Sequence, residues 1–433
     1  MKINALSINR ISTFIITLLM YSSNCNAQLN ILDIGFILTD VSDDGTIAVG
    51  HNNAEHFIWT EANGVNLIGG VEPSFYGGQT RINGDGTIIA GTRINPSNSL
   101  GELSSYDVDT QAWTSYGSLG FSSQGSASSA WGISSDGSTI VGLGWFSSGS
   151  AHAIKWTADG GLEDLGSTVP GQSTRANAVN NDGSVIGGWQ DNSDGIRQGA
   201  IWTNGVQTLL THSNNNPAAE VGTLSDDGLW AGGGGQSPTN EFQAWKWSQS
   251  SGIINIGPSP VSGWRGTTTG LSSDGEIAVG YYRQWPGPAA FGRGFIHTES
   301  EGLVDLTDYA ISVGIDVQGA ILALPLGLSD DGSTVVGVTN NGRGFIFRLP
   351  LLGVEDNVFD DFSLYPNPAK DILNFQIPEH LNIDRVSIFS AIGQKVNDYD
   401  TLQSINVSSL STGLYFVRIQ SGKTVWIKRF SKL

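Results

Sequence analysis

Sulfur is nearly absent from this sequence. Cys25 is the only cysteine among 433 residues, and there are two methionines. One cysteine cannot form an internal disulfide, and Cys25 lies in an amino-terminal segment that we expect to be removed. A chain beginning at Gln28 has no thiol at all, so the sequence excludes a disulfide-stapled fold and thiolate catalysis.

Basic residues are scarce as well. The chain has 21 Lys and Arg against 40 Asp and Glu, a formal charge of −19. Residues 28–354 hold 11 basic and 31 acidic residues, and residues 355–433 hold 8 and 9, so nearly all of the excess lies in the first part. Phosphate backbones need cations, so this balance argues against nucleic acid and against anionic membrane surfaces. It favours a solvated protein outside the cell.

Long apolar runs are missing apart from residues 11–21. Lys2 and Arg10 flank this run, and Asn26-Ala27 resembles a small-residue cleavage site, so residues 1–27 are predicted to be a signal peptide. The run is too short to span a bilayer comfortably. Lipid attachment at Cys25 is the alternative, which the bulky polar Asn24 disfavours. We expect an exported protein with no membrane span after removal of the signal.

Apolar residues at helical spacing are also missing, whereas glycine is abundant, with 58 residues. Glycine, serine, asparagine and aspartate in this mixture are typical of short strands joined by tight turns. One motif, such as ISSDGSTIVG from Ile133, occurs seven times at intervals of 41 to 57 residues. The glycines of its Asp-Gly pair are Gly45, Gly86, Gly137, Gly183, Gly228, Gly275 and Gly332.

Each repeat reads as a four-stranded meander. In the third repeat, residues 130–134, 139–143, 152–156 and 162–166 are the predicted strands, with an Asp-Gly turn between the first two. Several strands are apolar on consecutive residues, which is typical of burial on both faces. Four-stranded units repeated at this period predict a β-propeller. The fold class is therefore all-β, with a seven-bladed propeller over residues 28–352.

The seventh repeat lacks a fourth strand, while residues 29–35 (LNILDIG) match the fourth-strand pattern without belonging to a repeat. We expect this segment to pair beside residues 344–347 and close the ring, because an open array leaves unpaired strand edges.

The repeats resemble the bacterial extracellular HAF-type repeat, through Ala-x-x-Ile-Ser, Asp-Gly, Val-Val-Gly and a third strand such as His152-Ala-Ile-Lys-Trp156. The second repeat departs most, with Ser105-Tyr-Asp-Val108 in that strand. The resemblance covers about residues 28–349. It implies a propeller and export, and no particular reaction.

The repeat motif does not occur after residue 352, and different motifs follow. An acidic linker over 353–361 precedes Tyr365-Pro-Asn-Pro368, then Gly393-Gln394 and Thr412-Gly-Leu-Tyr-Phe-Val417. In this order the motifs resemble the type IX secretion sorting domain of Bacteroidota, over residues 362–433. The resemblance implies recognition by the outer-membrane translocon and an immunoglobulin-like β-sandwich, which alternating strands such as residues 386–389 also favour. An adhesion module of immunoglobulin type is the alternative.

No motif predicts catalysis, a cofactor or a metal. The six histidines have no metal-ligand spacing, and those in third strands suit packing better than catalysis. Asp-Asp pairs at 43–44, 226–227 and 330–331 offer oxygen ligands, but calcium needs six to eight oxygens from a loop that wraps it. A short hairpin turn explains these aspartates without a metal. We therefore predict no catalytic residue and no metal site.

Large aromatic residues follow the second strand of several repeats. If first strands line the axis, these residues lie on the face opposite the Asp-Gly turns, where they can stack on sugars or anchor a partner. Filling gaps between blades is the alternative. The candidate ligand-binding residues are Trp145, Trp189, Tyr281, Tyr282 and Trp285.

Three functions remain open, and a purely structural matrix protein is the third of them. The first is a non-enzymatic cell-surface or secreted binding module for an extracellular polysaccharide or protein. The second is a polysaccharide hydrolase or lyase, since propellers also host enzymes. Three or more Asp, Glu, His or Arg converging at one mouth of the channel would favour the enzyme, whereas small residues such as Ala130 and Ala176 in first strands favour a quiet axis.

Overall fold

A computed structural model describes most of the chain. The described residues are 27–52, 54–71, 77–147, 149–236, 239, 241–284, 287, 289–349, 363–376, 385–390, 395–399, 404–411, 413–421 and 424–433. Apart from Ala27, the predicted signal peptide lies outside them, as do the predicted linker and Trp285.

Strand β1 (Gln28–Ile34) is followed by six consecutive four-stranded antiparallel meanders, and each is one blade. Blades 1 and 2 contain β2 (Ile37–Val41), β3 (Ile47–His51), β4 (His56–Thr60), β5 (Gly64–Gly69), β6 (Arg81–Ile82), β7 (Ile88–Asn95), β8 (Leu100–Asp107) and β9 (Ala112–Ser115). Blades 3 and 4 contain β10 (Ser128–Ile133), β11 (Thr139–Ser147), β12 (Ser150–Thr157), β13 (Gly161–Gly166), β14 (Thr174–Val179), β15 (Val185–Asp191), β16 (Arg197–Thr203) and β17 (Val206–Leu209).

Blades 5 and 6 contain β18 (Glu220–Leu224), β19 (Trp230–Gln236), β20 (Phe242–Ser248), β21 (Gly252–Asn255), β22 (Arg265–Leu271), β23 (Ala278–Arg283), β24 (Gly292–Thr298) and β25 (Gly302–Asp305). A 3₁₀ turn (Ala289–Phe291) precedes β24, and a short helix, α1 (Leu306–Ser312), follows β25. The sequence pattern did not predict this helix. The Asp305 carboxylate caps it by accepting from the backbone N–H groups of Thr307 and Asp308.

The seventh blade closes the ring as predicted. It combines β26 (Leu324–Leu328), β27 (Thr334–Val338) and β28 (Arg343–Arg348) with β1, in the order β1-β28-β27-β26. Leu29 lies opposite Phe347 and Ile31 opposite Phe345. The described part of the chain thus forms a seven-bladed β-propeller whose last blade takes its outer strand from the amino terminus.

The hydrophobic core lies between the blades. One buried cluster joins Leu38 and Phe57 of blade 1 to Val336 and Ile346 of blade 7. Similar clusters span each further pair of consecutive blades. This packing explains the consecutive apolar residues, because both faces of a blade are buried against its neighbours.

A β-bulge interrupts the first strand of six blades at the same place, for example at Trp131 between Ala130 and Gly132. The bulged strand then passes close to a glycine in the second strand. A Cβ on Gly188 would lie 1.9 Å from the backbone oxygen of Arg175, and one on Gly142 would lie 2.0 Å from that of Ser129. The glycine that ends the Val-Val-Gly pattern is therefore required by backbone contact.

The carboxy-terminal residues form a sandwich of two antiparallel sheets, also as predicted. Its strands are β29 (Ser363–Tyr365), β30 (Ile372–Gln376), β31 (Arg385–Ser390), β32 (Lys395–Tyr399), β33 (Ser404–Asn406), β34 (Gly413–Ser421) and β35 (Thr424–Lys432). The sheet orders are β29-β30-β33 and β32-β31-β34-β35. Leu373 and Ile405 of one sheet pack with Val386, Ile388 and Val417 of the other.

Candidate functional site

The propeller has two faces, which we name by their connections. The turn face carries the seven Asp-Gly turns, and the loop face carries the connections from second to third strands and between blades. First strands of neighbouring blades contact each other around the axis. Thr39 Oγ1 donates to Thr80 O (2.7 Å), and Asn177 Nδ2 donates to Val221 O (2.7 Å). First strands therefore line the central channel.

The seven Asp-Gly turns share one hydrogen-bond pattern. In the turn from Ser134, the Ser134 hydroxyl donates to the Asp136 carboxylate (2.6 Å) and accepts from Thr139 N–H (3.0 Å), while Asp136 accepts from Ser138 N–H (2.9 Å). Gly137 has a φ of +73° and donates to Ser134 O. Equivalent bonds hold the other turns. The Asp before each glycine is thus committed to the turn itself.

The residue before that Asp faces the axis instead. Backbone bonds link these positions from blade to blade, with Asp43 N–H donating to Gly84 O (3.0 Å) and Gly84 N–H to Ser135 O (2.8 Å). The Ser135 hydroxyl reaches across to Asp43 Oδ2 (2.6 Å), and a Cβ on Gly84 would clash with both side chains. Seven such residues narrow the turn-face mouth of the channel.

A cavity of about 110 Å³ lies behind this mouth. Carboxylates of Asp40, Asp43, Asp226 and Asp330 line it together with Arg81. Burial, and next the charges of Asp43 and Asp226, raise the pKa of Asp330 to about 8. Burial and the Asp43 charge also raise the pKa of Asp226, and the two carboxyls hydrogen-bond to each other. The raised pKa favours the protonated form of the Asp330 carboxyl beside Asp226.

Arg81 forms the floor of this cavity. Its Nε donates to Trp131 O (3.2 Å) in blade 3 and its Nη1 to Thr39 O (3.1 Å) in blade 1, while Asp40 lies 3.6 Å away. Burial raises the pKa of Asp40, and the Arg81 charge opposes that rise. The first strand of blade 2, β6, has only two residues. The Arg81 guanidinium therefore supplies hydrogen bonds to blades 1 and 3 that a longer strand would make with its backbone.

The prediction of a chemically quiet axis is therefore wrong at the turn-face mouth, where four carboxylates and Arg81 converge. Sequence reasoning assigned Asp43, Asp226 and Asp330 to the hairpin turns, which is wrong for these three residues. It missed their convergence because the axis-facing position differs between repeats (Asp, Gly, Ser or Asn). The available signal was the extra Asp at positions 43, 226 and 330. Among the described residues, no three His, Cys, Asp or Glu side chains are placed to hold one metal ion.

Two of the five predicted ligand-binding aromatics are buried, which corrects the prediction for them. Tyr282 is 1% exposed in the core between blades 5 and 6, where its hydroxyl donates to Gly257 O and accepts from Ala244 N–H. Burial raises the Tyr282 pKa to about 12. Trp189 is 5% exposed, and the guanidiniums of Arg175 and Arg197 lie over its ring. Both side chains fill gaps in the wall instead of offering an open ring face.

Trp145 and Tyr281 are half-buried at the loop face, and Trp285 lies outside the described residues. Trp145 is near the end of β11, opposite Ala151. Tyr281 packs near Leu324 and Val338 of blade 7. Its pKa is raised by burial and by the Glu220 charge, against the lowering effect of Arg283. These two rings are the predicted candidates that reach the surface.

Sequence reasoning missed two arginines that stack on Trp131 and Trp189. Arg175 lies 3.6 Å from the Trp131 ring centroid and 5.3 Å from that of Trp189, and Arg197 lies 4.0 Å from the latter. Glu220 pairs with both guanidiniums, at 3.4 and 3.1 Å. Burial lowers the Arg175 pKa to about 10. Their place in the sequence could have indicated them, because both arginines lie at the loop-face ends of strands in a blade that carries an aromatic residue there.

Two of the third-strand histidines show the packing environment that we predicted. His56 is fully buried, with Nδ1 2.6 Å from Thr80 Oγ1 and Nε2 3.1 Å from Thr92 O. His152 stacks on Phe146 and pairs with Asp164 at 2.9 Å.

Comparison with known families assigns the tail. Residues 363–432 match the model described as "Secretion system C-terminal sorting domain". The chain therefore carries a type IX sorting domain, associates with that secretion system, and is exported to the cell surface or secreted. Among the described residues, no helix is long and apolar enough to cross a membrane. No curated protein matches the chain.

Several solved structures share features of the fold at low identity. TolB from Acinetobacter baumannii matches at 14% identity with a TM-score of 0.39, over 73% of this chain and 64% of that one, so the chain spans just under two thirds of its length. A putative TolB from Agrobacterium tumefaciens matches at 14% and 0.39, over 75% and 98%. PorZ of Porphyromonas gingivalis, described as an essential bacterial surface component of the type-IX secretion system, matches at 12% and 0.35, over 90% and 64%.

Proposed function

We propose that this chain is a non-enzymatic binding protein that a type IX system exports, and that its propeller holds a polysaccharide or protein outside the cell. Aromatic and arginine side chains at the loop face carry this proposal: the rings of Trp145 and Tyr281 reach the surface, and Arg175 and Arg197 are held by stacking on tryptophans. Aromatic rings can stack on sugars or apolar groups, and guanidiniums can donate hydrogen bonds to a ligand. Because stacking holds the guanidiniums in place before the ligand binds, the entropy cost of binding is lower.

The finer assignments belong to the same proposal. Residues 1–27 are a signal peptide for passage through the periplasm, and the translocon recognises residues 362–433 in a bacterium of the Bacteroidota type. The repeats are of the HAF type. These proposals are supported by the amino-terminal charge pattern, by the repeat motifs and by the order of motifs in the tail.

The second candidate, an extracellular hydrolase or lyase, is favoured by the carboxylates at the turn-face mouth. Buried carboxyls whose pKa values are raised by neighbouring carboxylates are common at sites of acid–base catalysis. However, the cavity of about 110 Å³ is well below the roughly 300 Å³ of typical ligand pockets. A polymer chain does not fit there, so we place binding first.

A glycan array probed with residues 28–433 tests the proposal. We expect binding that weakens at least tenfold in Trp145→Ala or Tyr281→Ala and that persists in Trp230→Ala. Trp230 is a half-buried aromatic at the turn face and is the matched control. Silence toward every glycan and every candidate surface protein would refute the proposal.

The enzyme alternative has a separate test. Incubation with the polysaccharides that bind, followed by measurement of new reducing ends, should show no product. Turnover that disappears in both Asp226→Asn and Asp330→Asn would instead establish the hydrolase or lyase and replace the proposed function.

A further inference from the structure

A cavity of about 240 Å³ lies between blades 3 and 4. Strands β12 and β13 of blade 3 form one side, and β15 and β16 of blade 4 form the other. Its lining includes Gly183 of an Asp-Gly turn, and Asn204 and Gly205 of the turn that joins β16 to β17, so it opens at the turn face. The cavity and the channel have different lining residues, and Trp145 and Tyr281 lie on the opposite face.

One side chain explains why this gap is open. In the preceding gap, Tyr116 of blade 2 stacks on Trp156 of blade 3 with ring centroids 3.7 Å apart, and its hydroxyl lies 2.6 Å from Ser105 Oγ. Leu165 occupies the position of Tyr116 in blade 3, since each precedes a Gly-Ser pair at the end of the fourth strand. Trp202 occupies the position of Trp156 in blade 4, because each lies opposite an isoleucine of the second strand. Leucine has no ring, so space remains beside Trp202.

Polar groups form the rim of this cavity. Lys155 Nζ lies 2.9 Å from Glu163 Oε2, and the two residues are directly opposite each other on β12 and β13. Ser184 adds a hydroxyl and Asn204 an amide, so the rim can both donate and accept hydrogen bonds. Because the lysine and the glutamate neutralise each other and the other described lining residues are uncharged, the rim suits a neutral ligand rich in hydroxyl groups.

Apolar side chains form the remaining wall. Leu165, Ile186 and Trp202 line the cavity, and the last two are 4% and 2% exposed. Within the part of the chain that the structure describes, Trp202 Nε1 has no hydrogen-bond partner. A buried donor left unpaired is costly, so a ligand oxygen that accepts from the indole N–H is favoured there. A sugar matches both kinds of wall, because its C–H groups can contact the apolar side chains while its hydroxyls meet the polar rim.

We propose that this cavity binds the neutral sugar unit at the end of a polysaccharide chain. Its volume of about 240 Å³ is just below the roughly 300 Å³ at which typical ligand pockets begin. It therefore suits one ring, while the rest of the chain stays outside. The seven Asp-Gly turns make this face acidic, which disfavours anionic sugars. This inference rests on the proposed function and deepens it, by naming a neutral chain end as the ligand of a second site.

Titration calorimetry of residues 28–433 with glucose, galactose, mannose and N-acetylglucosamine tests the proposal. We expect at least one of them to bind in the millimolar range, an oligosaccharide ending in that sugar to bind at least as tightly, and glucuronate to bind at least tenfold more weakly. Leu165→Tyr, which places the side chain of Tyr116 in the cavity, should weaken binding at least tenfold. Thr208→Tyr adds the same side chain at an exposed position of β17 and should change the affinity less than twofold.

Thermal unfolding separates a binding role from a structural one. Without sugar, Leu165→Tyr should melt at or above the temperature of the natural protein, because it fills the cavity as Tyr116 fills the preceding gap. A saturating concentration of the sugar should raise the melting temperature of the natural protein and of Thr208→Tyr, but not of Leu165→Tyr.

A second variant decides the matter if Leu165→Tyr melts several degrees lower than the natural protein. Lys155→Met/Glu163→Gln removes both charges at the rim, where the two side chains are 27% and 55% exposed, so it leaves the core intact. Its affinity for the sugar should fall at least fivefold, and an unchanged affinity would overturn the proposal.

The remaining outcomes separate this site from the loop face. Binding that is unchanged in Leu165→Tyr but lost in Trp145→Ala or Tyr281→Ala would overturn the cavity site and support the proposed function. Silence toward every neutral sugar would overturn the cavity site, while polymer binding that depends on Trp145 would leave the proposed function in place. Binding of free sugars without any oligosaccharide would overturn the assignment to a chain end.

Discussion

Single residues at the bulge decide whether a blade can form. Gly188 faces the Arg175 backbone oxygen, and a Cβ there would lie at 1.9 Å, a separation that no side-chain rotation relieves. Gly199, in the next strand of the same blade, has ordinary contacts of 3.6 Å or more for an added Cβ. Glycine is therefore required at position 188 by the close approach of the backbone, whereas position 199 has room for a larger residue.

Gly188→Ala should therefore lower the free energy of unfolding by about 2 kcal/mol or more, as overpacking against backbone does. Gly199→Ala should change it by less than about 0.5 kcal/mol. Denaturant titration of both variants measures the difference, and equal effects would contradict the bulge explanation.

The Asp330 carboxyl makes stability depend on pH. Its pKa rises from 3.8 to about 8 on folding, so the folded protein binds more protons than the unfolded chain between these values. Stability from this group is fully present below about pH 4 and is lost as pH rises through about 8, by at most about 1.4 kcal/mol per pH unit. The raised pKa values of Asp226 and Asp40 act in the same direction.

Asp330→Asn removes this titration while keeping a hydrogen-bond donor. The difference in melting temperature between the variant and the natural protein should rise steadily in favour of the variant from pH 5 to pH 8. Asp182→Asn, at the Asp-Gly position of another turn, should give a difference that does not change over this pH range, because hydrogen bonds from Ser184 lower the pKa of Asp182 and keep it ionised there. A flat difference for Asp330→Asn would contradict a raised pKa for the Asp330 carboxyl.

At the scale of elements, β1 is the part of the propeller that closes the ring. It is held by five paired positions with β28, and by the Arg343 side chain, whose Nε donates to Leu32 O at 2.7 Å. Gly35 N–H donates to Gly342 O at 3.0 Å. These contacts cover the outer edge of blade 7.

Deleting residues 28–35 should lower the free energy of unfolding by about 3 kcal/mol or more, since several ladder bonds are lost. The uncovered β28 edge should also promote dimers, because an unpaired edge templates strand addition. Thermal unfolding and sedimentation measure the two effects. A monomer with unchanged stability would show that β1 is dispensable.

Most of the strands could be predicted because the same sequence motif occurs seven times. Turn residues and consecutive apolar residues gave the strands, and the orphan segment at residues 29–35 gave the closure. Helix α1 was missed because two turns leave too short an apolar period to recognise. Tyr282 and Trp189 were misplaced because the pattern places a residue at a strand end but does not say whether its ring turns inward. The channel carboxylates were missed because their position varies among repeats.

At the scale of the whole molecule, the propeller and the sorting domain are built around separate cores. The sorting domain has its own buried cluster, including Leu373, Val386 and Val417, separate from those of the blades. The sorting domain therefore has a core of its own, which supports a role in export that is independent of the blades.

Removing residues 363–433 should leave the protein inside the cell envelope while the propeller remains folded. Cell fractionation with immunoblotting measures the location, and limited proteolysis of the retained protein measures folding. Secretion of the truncated chain at the natural level would contradict the role of the tail.

The pairing of Gln28 with Arg348 brings the start and the end of the propeller to one point on its rim. With residues 1–27 removed as proposed, the new amino terminus lies in the same blade as β28, the last strand before the sorting domain. A chain anchored through its sorting domain would then be attached at blade 7, the blade that also contains that amino terminus.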